Sequence, residues 1–257
     1  MHDAHQMVPG VSEAARLVGL SVGADVGANP TSNSNASDLL LPLCNLLIAE
    51  LAQYGLQVAY GGNWQPGGLT ESLATLVRTA PVPAGARFNR LRNYLTPTIA
   101  KTLSASQRAA ADSLVDLTVT ESASTEAANP GPTELSLMRR QMANDSIARV
   151  AIGGRSQGYQ GVVPGVLEEV FWMQVFGKPV LAFTGFGGTT AWLAQPETLA
   201  HQRQLWLDAM QANGLLSGTD QALVTSDSMR GITLATVTEP SAAQLALREF
   251  LRHTQQT

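Results

Sequence analysis

Short apolar runs along this chain are followed by glycine-rich turns and then by segments with helical periodicity. Four of these runs have the length and composition of buried strands: RLVGLSVG (16–23), QVAYGG (57–62), ARVAIGG (148–154) and KPVLAF (178–183). The order of strand, turn and helix repeats along the chain, as is typical of parallel sheets. The pattern predicts an α/β fold of Rossmann-like type, with a mostly parallel sheet and helices on both faces.

The helical segments have recognisable starts and stops, such as Asp38 at the beginning of the first and Gly55 after its end. These segments are predicted at about 38–54, 67–80, 133–146, 164–176 and 198–213. GFGG (185–188) is predicted to open one further helix.

The middle and the end of the chain have weaker patterns. RFNRLRNYL (87–95) fits either a strand edge or a loop, and DSLVDLTVT (112–120) contains a predicted strand. The segment that closes the chain predicts a strand and a final helix. Because no linker or internal repeat interrupts the pattern, we expect one domain over residues 1–257, with its core at 16–195 and a C-terminal completion at 196–257.

Composition limits the classes of function. The chain has 257 residues, 44% of them hydrophobic, and a net charge of −4, so it can form a sizeable core and is not expected to bind nucleic acid. No apolar run approaches the length of a membrane span. The lone Cys44 lies in an apolar helical stretch and predicts a small core residue in a reducing, cytoplasmic setting. The four histidines are scattered, so neither a metal site nor a cofactor is predicted.

Ligands of open parallel sheets bind beyond the carboxyl ends of the strands, where this sequence places glycine-rich turns. The candidate ligand-binding residues in these turns are Gly23, Ala24, Gly61, Gly62, Gly68, Gly153, Gly154, Gly185, Gly187 and Gly188, together with Pro164, Gly165 and Glu168 at the start of the helix that follows the third turn. Their backbone amides favour one crevice suited to phosphates or ribose hydroxyls. The alternative is that the glycines only make tight turns. A P-loop is excluded because GxxxxGK[ST] does not occur, and GFGGTT lacks the third glycine of a dinucleotide-binding turn.

Three stretches resemble the SLOG superfamily, which includes the Lonely Guy enzymes and relatives of the DNA-processing protein DprA. They are YGG with the following GG (60–68), LMRRQMANDSIARVAIGG (137–154) and PGVLEEVF (164–171). The resemblance covers roughly residues 16–195, although 81–132 matches little. Lonely Guy enzymes have a basic helix ending in methionine, a strand, and a PGGxGTxxE turn. Gly153 and Gly154 match the paired glycines of that turn, and Glu169 matches its glutamate.

The sequence departs from the Lonely Guy pattern at several positions. Ile152 stands where the motif has proline, and Val166 replaces the threonine. About ten extra residues, RSQGYQGVVP, separate the glycine pair from the acids, so Pro164 and Gly165 come directly before the helix. Upstream, Met138 and Arg139 stand where arginine and lysine would. The resemblance therefore points to SLOG branches that bind NAD-derived or other nucleotide messengers, including branches associated with antiviral sensing, where the ligand resembles a cyclic ADP-ribose.

The charged residues near the predicted crevice have two interpretations each. In Lonely Guy enzymes the glutamate acts on the ribose, so Glu169 is the candidate catalytic residue of an N-glycoside hydrolase and otherwise a ligand-binding residue. Alternatively, Glu168 and Glu169 only complement the dipole of a helix start, with Glu168 on a solvated side. Arg92, Arg139 and Arg155 are candidates for phosphate contacts or are ordinary surface residues.

Two further arginines, Arg87 and Arg90, accompany Arg92, and Tyr94 is available to stack on a base. Leu135, Met138 and Met142 form a helical stripe that predicts core packing.

Two hypotheses of function follow from the sequence. The first is a module that binds or senses a nucleotide derivative such as an ADP-ribose-like or NAD-derived molecule. The second is a Lonely Guy-like hydrolase that releases a base from a nucleotide. The altered turn favours the first, and the many glycine turns disfavour a pure interaction module.

The sequence also predicts assembly and motion. Because Lonely Guy relatives are dimers and the run FWMQVF (171–176) exceeds what one helix face needs, we expect a homodimer or higher oligomer. Residues 25–37 offer little to bury and predict a lid that covers the ligand.

Overall fold

A computed structural model of the chain describes residues 16–23, 36–64, 67–81, 91–121, 132–226 and 229–254. Ala24, Arg87, Arg90 and most of the predicted lid (25–35) lie outside the described residues. Within the described ranges the strands are β1 (Leu17–Val22), β2 (Gln57–Gly61), β3 (Leu91–Leu95), β4 (Val115–Val119), β5 (Ser146–Ile152), β6 (Val180–Phe183) and β7 (Ile232–Ala235).

The helices within the same ranges are α1 (Ala36–Gln53), α2 (Leu69–Thr79), α3 (Pro97–Thr102), α4 (Ala105–Leu114), α5 (Pro132–Asp145), α6 (Gly165–Val175), α7 (Pro196–Ala212), α8 (Gly218–Ser226) and α9 (Pro240–Thr254). Two 3₁₀ segments, Thr184–Phe186 and Gly188–Ala194, follow β6. The helix that GFGG is predicted to open does begin there, at Gly188, but it has the tighter 3₁₀ geometry, and Gly187 before it has a φ of 78°.

The strands form one parallel sheet in the order β4-β3-β2-β1-β5-β6-β7. Successive strands add outward from β1 on one side and from β5 on the other, so the winding direction reverses between β1 and β5. In open α/β sheets a ligand crevice forms at such a reversal. The predicted Rossmann-like α/β fold is confirmed, and residues 87–95, which fitted a strand edge or a loop, contain β3.

Helices cover both faces of the sheet. One face packs α1, α2 and α9 over inward residues such as Val18, Leu20 and Ile152. The opposite face packs α5, α6, α7 and α8, and its core includes Phe171, Trp172 and Trp206. The predicted stripe of Leu135, Met138 and Met142 lies on the face of α5 that packs against Tyr94, and its prediction as core is confirmed.

Helix α6 is buried on all sides. Every residue from Val166 to Val175 is buried, because α6 lies between the sheet and the helices α5 and α8. Residues 171–175 of the apolar run FWMQVF are therefore used for packing within one chain, and Phe176 at its end is half-buried. The homodimer stays a prediction, without this support.

The C-terminal segment is joined to the rest of the fold by the sheet and by an ion pair. Strand β7 pairs with β6, and α9 packs against α1. The Arg248 guanidinium donates to both carboxylate oxygens of Glu50, at 2.7 and 2.8 Å. Near this seam lies Cys44, fully buried in α1, where burial raises the pKa of the thiol to about 12.

Candidate functional site

A cavity of about 200 Å³ lies beyond the carboxyl ends of β2 and β3, next to α5 and the start of α6. Its lining combines apolar, polar and charged side chains: Gly61, Gly62, Asn63, Tyr94, Leu95, Thr96, Ile99, Leu135, Met138, Arg139, Gln160 and Glu169. Four residues predicted from the sequence, Gly61, Gly62, Arg139 and Glu169, are thus brought together.

The turn that follows β2 is held by one buried side chain. Asn93 on β3 is fully buried, and its amide nitrogen donates to the carbonyl oxygens of Tyr60 and Gly62, at 3.1 Å each. The Trp64 indole donates to the Asn93 side-chain oxygen at 2.8 Å. Because both ends of the turn are tied to β3, Gly61–Asn63 form a fixed wall of the cavity.

Glu169 reaches the cavity from the first turns of α6. Its Oε2 accepts from Arg149 Nη1 at 2.6 Å and from the Ser21 hydroxyl. Arg149 Nη1 also donates to Ser21 Oγ at 2.8 Å. Burial lowers the pKa of the Arg149 guanidinium while Glu169 acts in the opposite direction, and an arginine stays charged in proteins. The Glu169 carboxylate at the cavity is therefore paired with a buried cation, the Arg149 guanidinium.

Glu168 forms a second network with the helix α5. It accepts from Arg139 Nη1 and from the Ser136 hydroxyl, and from the Trp172 indole at 3.4 Å. Only 1% of Glu168 is exposed, so the expectation of a solvated side is wrong. Since successive helical residues point about 100° apart, Glu168 turns toward α5 while Glu169 turns toward the sheet. Arg139, expected to bind phosphate, is already paired with a carboxylate.

The glycine turns at the winding reversal pack against each other. A side-chain carbon at Gly23 would lie 2.4 Å from Gly154 Cα, and one at Gly188 would lie 2.5 Å from the Gly153 carbonyl carbon. Gly153 N donates to Thr190 Oγ1 at 3.1 Å. The backbones touch here, so these glycines allow close packing of the turns, and their contact with a ligand stays a prediction.

The remaining glycines of the prediction lie elsewhere. Gly185 lies in the first 3₁₀ segment after β6 and packs against the Val237 carbonyl, and Gly187 lies between the two 3₁₀ segments. Gly68 precedes α2. None of these three lines the cavity.

Other predicted residues surround the cavity or lie apart from it. Pro164 and Gly165 begin α6, and a side-chain carbon at Gly165 would lie 2.6 Å from Arg139 Nη2. Arg155 is exposed and directly follows the paired glycines at the carboxyl end of β5.

Arg92 occupies the second position of β3, towards its amino end, and does not line the cavity. Tyr94 borders the cavity but is fully buried, and its hydroxyl donates to Asp145 Oδ2 at 2.8 Å, so stacking of a base on its ring stays a prediction.

Several residues at the cavity were not predicted. Asn63, Thr96 and Gln160 line it, and Ser21 and Arg149 hold Glu169. Arg149 carried a sequence signal, because an arginine inside a buried strand requires a carboxylate partner. The others carried none, since small polar residues in loops are common.

Two kinds of site do not occur in the described part of the chain. There, no group of three or more His, Cys, Asp or Glu side chains could hold a metal ion. No described helix is long and apolar enough to cross a membrane.

A family model and several solved structures are similar to this chain. The family model described as SLOG cluster2 matches residues 37–218, which is more than half of the chain. No curated protein sequence matches the chain.

Two solved structures are similar over nearly their whole length. The molybdenum cofactor carrier protein MCP from Chlamydomonas reinhardtii has 16% identity and a TM-score of 0.45, covering 93% of this chain and 99% of that one. The molybdenum cofactor binding protein from the phototrophic bacterium Rippkaea orientalis has 13% identity and a TM-score of 0.43, covering 91% and 98%. Likeness at this level says nothing about what this chain binds.

Proposed function

Because the chain belongs to the SLOG cluster2 family, we propose that its cavity binds a nucleotide-derived small molecule of the ADP-ribose-like or NAD-derived class, and that the protein senses this molecule without degrading it. The observation that carries the proposal is the carboxylate of Glu169 at the cavity wall, with one oxygen bound from behind and the other available.

The available oxygen defines what Glu169 can recognise. Oε2 is occupied by Arg149 and Ser21, whereas Oε1 has no hydrogen-bond partner among the described residues. An ionised carboxylate only accepts hydrogen bonds, so its natural partners are donors such as ribose hydroxyls. This supports a role for Glu169 in orienting a sugar.

The apolar part of the cavity lining suits a flat apolar group. Leu95, Ile99, Leu135 and Met138 provide aliphatic and thioether contacts. Pockets for small ligands combine such surfaces with a few convergent polar groups. A nucleobase placed against these residues leaves Asn63 and Gln160 as hydrogen-bonding groups for its edge.

We propose that the phosphates bind outside the cavity. Arg139 at the cavity wall is paired with Glu168, and Arg149 behind the wall is paired with Glu169, so neither arginine is left without a carboxylate. Arg155 is exposed and has no ion-pair partner among the described residues. We assign the phosphate contact to Arg155 and the sugar and base to the cavity.

The hydrolase remains the second candidate, because a carboxylate beside a bound sugar can stabilise an oxocarbenium-like state. The departures from the Lonely Guy turn, Ile152 for proline and Val166 for threonine, support binding over hydrolysis.

Calorimetric titration with ADP-ribose, NAD and AMP tests both candidates. We expect ADP-ribose to bind, to survive overnight incubation, and to bind Glu169→Gln about 10- to 100-fold more weakly, a loss of roughly 1–3 kcal/mol. Glu197→Gln, an exposed change on α7, is the matched control and should bind like the wild type. Chromatographic detection of free base from wild type but not from Glu169→Gln would establish the hydrolase instead. Absence of binding by all three nucleotides would contradict both candidates.

The setting and assembly of the protein are also proposals. The single buried Cys44 supports a reducing, cytoplasmic environment. A homodimer and a place in antiviral nucleotide signalling are supported by the SLOG resemblance alone.

A further inference from the structure

We propose that Arg149 and Ser21 are positioning residues that fix the Glu169 carboxylate, so that one of its oxygens points into the cavity. The inference rests on the proposed function, since it assigns to Glu169 the contact with the ligand. Neither residue lines the cavity.

The contacts converge on a single oxygen. Arg149 Nη1 lies 2.6 Å from Glu169 Oε2 and 2.8 Å from Ser21 Oγ, while the Ser21 hydroxyl donates to the same Oε2. A carboxylate that receives two donors on one oxygen is fixed in its rotation about the last side-chain bond. Its other oxygen therefore has one direction available, away from the sheet and toward the cavity.

Stability alone gives a poor account of Arg149. The residue is fully buried, yet its Nε and Nη2 have no hydrogen-bond partner among the described residues. A buried ion pair is often no more stable than an apolar replacement, and unsatisfied buried donors add a further cost. An apolar side chain would fill the same space without leaving buried donors unsatisfied.

The sheet is shaped to admit the guanidinium. Arg149 on β5 pairs in register with Gly19 on β1. A side-chain carbon at Gly19 would lie 2.7 Å from both Arg149 Cζ and Nη2, closer than real side-chain carbons come. Because Gly19 has no side chain, the Arg149 guanidinium can lie over β1 at this position. Ser21, two residues further along β1, contacts the same Glu169 carboxylate.

A double-mutant cycle in ligand affinity separates positioning from general stability. We titrate ADP-ribose into wild type, Arg149→Lys, Glu169→Gln and the double variant. Each single change is expected to weaken binding about tenfold, and the double variant also by about tenfold, because Arg149 acts only through Glu169. A double variant about 100-fold weaker would show independent effects and would overturn the proposal. Should Arg149→Lys fail to fold, Ser21→Ala takes its place in the cycle.

The matched control is Arg203→Lys. Arg203 is a buried arginine on α7 whose guanidinium lies over the Phe171 ring, remote from the cavity lining. It should leave ADP-ribose affinity unchanged even if the melting temperature falls. An equal loss of affinity in Arg203→Lys would mean that any disturbed core weakens binding, and would refute the assignment.

A ligand-free measurement separates this inference from the proposed function. Crystal structures of wild type and Ser21→Ala/Arg149→Lys are expected to show the Glu169 carboxylate in different orientations. If the carboxylate keeps its orientation without both partners, they do not position it. If ADP-ribose fails to bind the wild type while the carboxylate does reorient, the proposed ligand is wrong and the positioning role stands.

Discussion

Two buried glutamates of this protein meet arginines in opposite ways. At the seam between α1 and α9, Glu50 receives two hydrogen bonds from Arg248 and one from Gln244, so both of its oxygens are used. At the cavity, Glu169 receives Arg149 and Ser21 on one oxygen only. The arginines differ as well, since Arg248 reaches solvent and Arg149 is fully buried.

The difference separates a contact that closes a fold from one that prepares a site. A bidentate pair engages both oxygens of the carboxylate, so Glu50 presents no oxygen without a donor. The pair at the cavity leaves two Arg149 nitrogens and one Glu169 oxygen without a partner among the described residues. Buried donors without a partner are uncommon in proteins, and a functional role is one explanation for them.

The largest expected effect comes from removing the cavity arginine. Arg149→Met leaves Glu169 without its buried cation and should destabilise the protein by about 3–5 kcal/mol. Arg248→Met should lower the free energy of unfolding by less, because water can reach the Glu50 carboxylate once the arginine is gone. Urea denaturation of the two variants measures the comparison directly.

Glu169→Gln added to Arg149→Met is the control for this first prediction. The double variant should recover part of the stability, because the uncompensated charge is removed. Equal losses at Arg149 and Arg248 would mean that the two pairs do not differ in the way described.

A smaller effect is expected at the residue that faces Arg149 across the sheet. Gly19→Ala places a methyl group 2.7 Å from the guanidinium carbon, so Arg149 must move. Overpacking of this kind costs about 1–3 kcal/mol, and ADP-ribose affinity should fall with it. Gly55→Ala supplies the contrast, since nothing lies within 4 Å of its added carbon and it tests only the strain of a φ of 66°. Wild-type affinity in Gly19→Ala would show that Arg149 can shift without disturbing Glu169.

The smallest effect concerns the acid side of the stability profile. The hydrogen bond from Arg248 is the main cause that holds the pKa of Glu50 below its ordinary value, against the opposing effect of burial. A carboxyl whose pKa is lowered by folding stabilises the protein above its unfolded-state pKa and loses that contribution as pH falls through the folded value. Between about pH 6 and about pH 3, Glu50→Gln should therefore lose less stability than the wild type. Thermal unfolding at a series of pH values makes the measurement, and parallel curves would contradict it.

The sheet and most of its elements could be predicted because they depend on local patterns. Apolar runs such as VAI in β5 and glycine stops such as Gly55 are properties of neighbouring residues. Helices α3 and α8 were not predicted, since they are short. The start of α3 also depends on a side chain from α5, and a single sequence does not reveal that contact. Glu134, for example, accepts from Thr98 N and completes the start of α3.

The site was harder to predict because its geometry is made by long-range contacts. Gly61, Gly62, Arg139 and Glu169 were identified and do line the cavity. The glycines at 185 and 188 share the same local pattern but pack against backbone, and a single sequence does not distinguish these uses. Glu168 and Glu169 are adjacent in the chain, and only the positions of Arg139 and Arg149 show that they belong to separate networks.

The burial of Cys44 makes the protein suited to site-directed fluorescence. The chain has one cysteine, and its thiol is shielded in α1 with a pKa raised to about 12, so almost none of it is thiolate at neutral pH. A cysteine introduced at Asn63, which is exposed at the cavity wall, would then be the one reactive thiol toward a maleimide dye. A dye attached there would report occupancy of the cavity without removing the native cysteine.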